Sequence, residues 1–126
     1  MVTFTGGHNI AMKVPPHQWQ ETVEFYRDVL GLPELPAGES AIPTVAFAFG
    51  GIRLWIDSVD TASHAELWLE VTTTDPAGAA EHLRGHGIAR RDEIEPLPTD
   101  STGFWITNPA SIIHLVAEPS ADTDTD

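Results

Sequence analysis

Ile10-Ala11-Met12-Lys13-Val14, Pro15-Pro16 and then a run ending in Phe25-Tyr26-Arg27-Asp28-Val29-Leu30-Gly31-Leu32 make up the stretch on which the fold turns. Ile10, Met12 and Val14 alternate with Asn9, Ala11 and Lys13, which is the period of two of a strand that buries one face. Pro15-Pro16 cannot donate to a strand ladder and ends it. Past His17 the period changes. Trp19, Val23, Tyr26 and Leu30 fall at steps of four, three and four, and so line one face of a helix. Gly31 follows where a left-handed cap is wanted. A half-buried strand running straight into an amphipathic helix is therefore the first building block.

Outward from that block, Thr44 to Phe49 and Ile52 to Asp57 read as two strands joined by Gly50-Gly51, a pair suited to a tight hairpin turn. The order then begins again. Leu67, Leu69 and Val71 alternate with Glu66, Trp68 and Glu70, and Asp75 caps a helix with Pro76 at its first position. That helix turns Ala79, Ala80 and Leu83 inward and ends at Gly87. Strands at about Gly103 to Thr107 and Ile112 to Ala117 flank the turn Asn108-Pro109. Val14 and Val71 close corresponding strands about 57 residues apart, and Gly31 and Gly87 end corresponding helices at nearly the same interval, as an internal duplication requires.

Composition limits the rest. A chain of 126 residues, 41% of them hydrophobic, can build one substantial core. One domain is expected over residues 1–119, with one module at about 7–57 and a second at about 64–118, followed by a disordered acidic tail at 120–126. No run reaches the roughly 18 apolar residues of a membrane span, and the first residues lack a secretion pattern, so a cytoplasmic protein with no membrane partner is expected. With no cysteine, thiolate metal ligands and a cysteine nucleophile are excluded. Six Lys and Arg against 19 Asp and Glu leave a net charge of −13, which repels nucleic acid. No Gly-rich phosphate loop, nucleophile elbow or His-Glu-x-x-His run is present.

The Phe25 to Leu32 segment after its strand resembles the first half of proteins of the vicinal oxygen chelate superfamily, the glyoxalase/bleomycin resistance protein/dioxygenase group. Asp75-Pro76, Ala79-Ala80, Leu83 and Gly87-Ile88, then Asn108-Pro109 before Ile113-His114-Leu115-Val116, are similar to the second half. The resemblance covers about residues 7–118. It implies an α+β fold of two βαβββ modules whose curved sheets enclose a shared concave cavity, with the helices outside. Members of the superfamily isomerise, open aromatic rings with oxygen, open epoxides with thiols or simply sequester a drug, so the fold alone does not deliver the function.

If Ile10, Met12 and Val14 face the helices, Asn9, Ala11 and Lys13 face the cavity, because neighbours on a strand point to opposite sides. The resemblance puts Asn9 where the superfamily carries its first metal histidine, with His8 beside it but of the wrong parity unless a bulge turns it inward. It puts Glu66 at the place of the second histidine, His114 at that of the last carboxylate, and Arg53 or Trp55 at the remaining position. His64 precedes Glu66 with the same parity. The candidate metal ligands are Glu66, His114 and His8, a two-histidine, one-carboxylate set. Trp55, Trp68 and Trp105, with Asn9, Lys13 and Arg53, would form an aromatic box with a cationic rim, as small-molecule sites do. Glu70 shares the parity of Glu66 and is the candidate catalytic base. His17, His82 and His86 lie on or beside helices and read as solvent-facing.

Two functions follow. One is a glyoxalase/bleomycin-resistance-like protein that binds a small apolar or aromatic molecule between the tryptophans with no cofactor. The other is a lyase, isomerase or dioxygenase that uses a divalent metal, Fe, Mn, Ni or Zn, to chelate adjacent substrate oxygens. Either is compatible with a homodimer.

Overall fold

The computed structural model of the chain describes residues 2–119, so the tail expected at 120–126 lies outside the described residues. In chain order the elements are β1 (Thr5–Gly6), β2 (Asn9–Val14), α1 (Pro16–Glu24), a π-helical turn (Phe25–Val29), β3 (Glu34–Leu35), β4 (Thr44–Phe49), β5 (Ile52–Ser58), β6 (Glu66–Thr72), α2 (Pro76–Gly85), β7 (Phe104–Thr107) and β8 (Ile113–Ala117). The chain divides into two compact units, His8–Trp68 in one, and the N-terminal residues to Gly7 with those from Leu69 onward in the other. Among the described residues no helix is long and apolar enough to cross a membrane.

In the His8–Trp68 unit, β2 runs parallel to β5 from Asn9 opposite Arg53 to Val14 opposite Ser58. Parallel neighbours need a long crossover, and α1 supplies it. β4 returns antiparallel on β5, with Gly50 at φ 63° in the turn, and β3 edges β4. On the other side of β2, Glu66 to Trp68 pair antiparallel with Lys13 to Ala11. The apolar side of these strands (Ile10, Met12, Val14, Val45, Phe47, Leu54 and Ile56) packs on Trp19, Val23 and Tyr26. The Trp19 indole N–H also donates to the Ile56 carbonyl at 2.9 Å.

The helix departs from its regular period at one place. Leu30 N–H donates to Phe25 O at 3.0 Å, five residues back, so Phe25–Val29 is π-helical. The widened turn keeps Tyr26 on the core and rotates Leu30 off the stripe, leaving it 49% exposed beside exposed Phe25 and Val29. Leu30 therefore does not complete the buried face that its spacing predicts.

In the other unit, Leu69 to Thr72 pair parallel with His114 to Ala117, β7 lies antiparallel on β8, and Thr5 and Gly6 pair with Thr72 and Val71. Asp75 caps α2 by accepting the Gly78 N–H at 3.0 Å. Ala79, Phe104, Ile106 and Val116 form the core, with Val71, Ala80, Leu83 and Ile88 packed against it. Each unit thus repeats one topology: opening strand, crossover helix, then an antiparallel pair whose last strand lies parallel to the first. Among the described residues, no strand intervenes between α2 and β7 to match β3. Pro96 and Pro98 in that segment lack N–H donors, and it meets β7 through Arg91 N–H donating to Trp105 O at 2.7 Å.

Candidate functional site

The register of the His8–Trp68 unit builds three cross-strand rows on the face that points away from α1. Ala48, Arg53 and Asn9 form the first row, Ala46, Trp55, Ala11 and Trp68 the second, and Thr44, Asp57, Lys13 and Glu66 the third. Six residues singled out from the sequence, Asn9, Lys13, Arg53, Trp55, Glu66 and Trp68, are brought to this one face. The alternation on β2, β5 and β6 puts them there.

Polar contacts fix the side chains of the rows. The Trp55 indole N–H donates to Asn9 Oδ1 at 2.8 Å, and Trp68 donates to Glu66 Oε1 at 3.3 Å. Lys13 is only 6% exposed; its Nζ donates to Asp57 Oδ2 at 2.8 Å and sits 4.2 Å above the Trp68 ring centroid. The second Asp57 oxygen accepts from the Thr44 hydroxyl. Arg53 donates to Pro36 O at 2.8 Å and holds its guanidinium 5.5 Å from the Trp55 centroid. A cation over an indole face is attracted by the ring quadrupole, so each tryptophan is held by both a hydrogen bond and a cation. Asp57 and Thr44 are the members that sequence reasoning missed. Asp57 shares the parity of Arg53 and Trp55, but its partnership with Lys13, 44 residues away, depends on the β2–β5 register.

His8 lies just before β2, exposed, with Nδ1 3.3 Å from the Gly51 carbonyl and its own carbonyl accepting from Arg53 N–H at 2.7 Å. His64 is exposed, with Nδ1 3.1 Å from the Ser63 hydroxyl.

In the other unit, Trp105 and Glu70 both lie opposite Leu115, on the face away from α2. The Trp105 indole is buried and donates to Glu95 O at 2.9 Å. The Glu70 side chain lies against Gly7, where an added Cβ would stand 2.2 Å from Oε1. His114 goes the other way. It lies opposite Ile106 and Leu69, in step with Val116, Phe104 and Val71, and so on the α2 side of its strand. Its Nδ1 lies 3.1 Å from Ile112 O. Val116 must be buried and residues two apart share a face, so His114 is carried to the side opposite Glu70 and Trp105.

Among the described residues no three His, Asp or Glu side chains are grouped to hold a metal ion. Of the donors that resemblance would assign to a divalent ion, Glu66 and His8 belong to the His8–Trp68 unit and His114 to the other.

No family model matches the sequence, and no curated protein does. Solved structures do. A Mn(II)-bound glyoxalase from Novosphingobium aromaticivorans superposes with a TM-score of 0.64 at 16% identity, over 94% of this chain and 40% of that one, so this chain spans about two fifths of its length. A methylmalonyl-CoA epimerase from Streptomyces coelicolor in complex with 2-nitronate-propionyl-CoA gives 0.61 at 14%, over 94% and 100%. A glyoxalase/bleomycin resistance protein/dioxygenase superfamily member from Vibrio splendidus gives 0.57 at 13%, over 86% and 97%. The chain therefore has the α+β glyoxalase/bleomycin-resistance/dioxygenase fold.

Proposed function

We propose that the chain is a small-molecule-binding protein of the glyoxalase/bleomycin-resistance kind, with residues 1–119 as one binding domain for a flat apolar or aromatic ligand. The observation that supports this is the row Ala46, Trp55, Ala11 and Trp68, set between two polar rows on the helix-free face of β4, β5, β2 and β6. Ala11 lies between the two tryptophans in that row. Strands spaced about 4.8 Å apart put the two tryptophan backbones about 10 Å from each other, room for a ring over the small Ala11 floor. Asn9, Lys13 and Arg53 supply the polar edge that orients such a ligand. Because the indoles are already held by Asn9, Arg53, Lys13 and Glu66, little ordering cost is left for binding.

The metal-dependent lyase, isomerase or dioxygenase reading would place Glu66, His114 and His8 around a divalent ion, with Glu70 as base. It is the second reading because His114 lies on the α2 side of its strand, opposite to Glu70. Titration of a panel of aromatic ligands against tryptophan fluorescence tests the proposal. Saturable quenching is expected, and Ala11→Leu, which fills the floor, should weaken it about tenfold or more while leaving the thermal midpoint close to that of the parent. If no compound in the panel saturates, the proposal fails.

A further inference from the structure

His82 and His86 stand one turn apart on the exposed side of α2, the first inside the helix and the second at its C-cap. Their ring centroids are 4.8 Å apart, with the planes at 58°. Two imidazoles on neighbouring positions of one ion, with metal–nitrogen bonds of about 2.0–2.1 Å, have centroids about 4.5–5 Å apart. The pair is already at that separation. His82 also meets the Phe4 ring, with centroids 6.0 Å apart.

Two further features favour a cation at this place. The C-terminal end of a helix carries partial negative charge, and the chain carries a net charge of −13. The neighbouring acid, Glu81, is engaged by Arg84. Among the described residues no third His, Asp or Glu joins the pair, so water would complete the coordination.

We propose that His82 and His86 form a two-imidazole site for a borderline divalent cation, Cu2+ in preference to Ni2+ and Zn2+, following the general affinity order for nitrogen ligands. None of its residues belongs to the tryptophan face. Metal found on the purified protein would therefore report this helix before it reported Glu66 or His114.

The test is calorimetric titration of Cu2+ into chelator-treated, untagged protein, with electron paramagnetic resonance of the bound ion. One tight equivalent with coupling to two nitrogens is expected. His82→Ala and His86→Ala should each lower affinity about tenfold or more and remove one nitrogen, whereas Glu66→Gln with His114→Ala should retain both readouts. Both histidines are exposed, so the metal-free variants should keep the parent's circular dichroism. Unchanged binding in both histidine variants, loss only in the Glu66 and His114 variant, or no tight equivalent at all would overturn the proposal.

Discussion

At the scale of single residues, the Lys13–Asp57 pair carries the clearest energetic consequence. Both side chains are nearly buried, and a buried ion pair yields little net stability when whole but leaves an uncompensated charge when one partner is removed. Lys13→Met should therefore cost about 3–5 kcal/mol, and Lys13→Met combined with Asp57→Asn should recover most of that loss. Urea unfolding of the two variants checks it, and equal losses in both would refute the pairing. The tryptophans teach a related lesson. Their parity was legible from alternation alone, but what holds Trp55 against Asn9 and Trp68 against Lys13 was not, since both contacts cross between strands. His114 shows the opposite limit. Its likeness to a ligand position pointed it toward a site, while the burial of Val116 two residues later decided its side.

At the scale of elements, α1 and its π-helical turn separate local pattern from packing. The spacing of Trp19, Val23, Tyr26 and Leu30 predicts one continuous stripe, and the widened turn removes only its last member. Leu30→Ser should accordingly change stability by no more than about 0.5 kcal/mol, as exposed positions do. Phe47→Ala, at a fully buried position of the same core, should cost about 3–5 kcal/mol. Thermal unfolding of the two side by side measures the contrast. A Leu30 loss as large as that of Phe47 would mean that the helix runs on regularly. α2 needs no such correction: Asp75, Pro76 and Gly87 mark its ends in the sequence, and they mark them in the structure.

At the scale of the whole molecule, net charge and repetition are the properties that matter. A charge of −13 on 126 residues makes the folded chain repel itself, and salt screens that repulsion, with a Debye length of about 30 Å at 0.01 M and about 3 Å at 1 M. Raising NaCl from about 20 to about 500 mM should therefore raise the urea midpoint, and a flat response would show that the charge is locally neutralised. The repeat was visible as an interval of about 57 residues between corresponding strands. The structure extends it to pairing, with β2 parallel to β5 in one unit and β6 parallel to β8 in the other. The sequence by itself determined where the longer strands and the two helices lie, which faces are apolar and that the pattern occurs twice, because side-chain period, caps and turn residues act within a few neighbours. Only the tertiary structure decided which strands adjoin, that Lys13 meets Asp57, that the helix widens at Phe25 and that His114 turns toward α2. Those outcomes depend on packing between residues far apart in the chain, which no local period encodes.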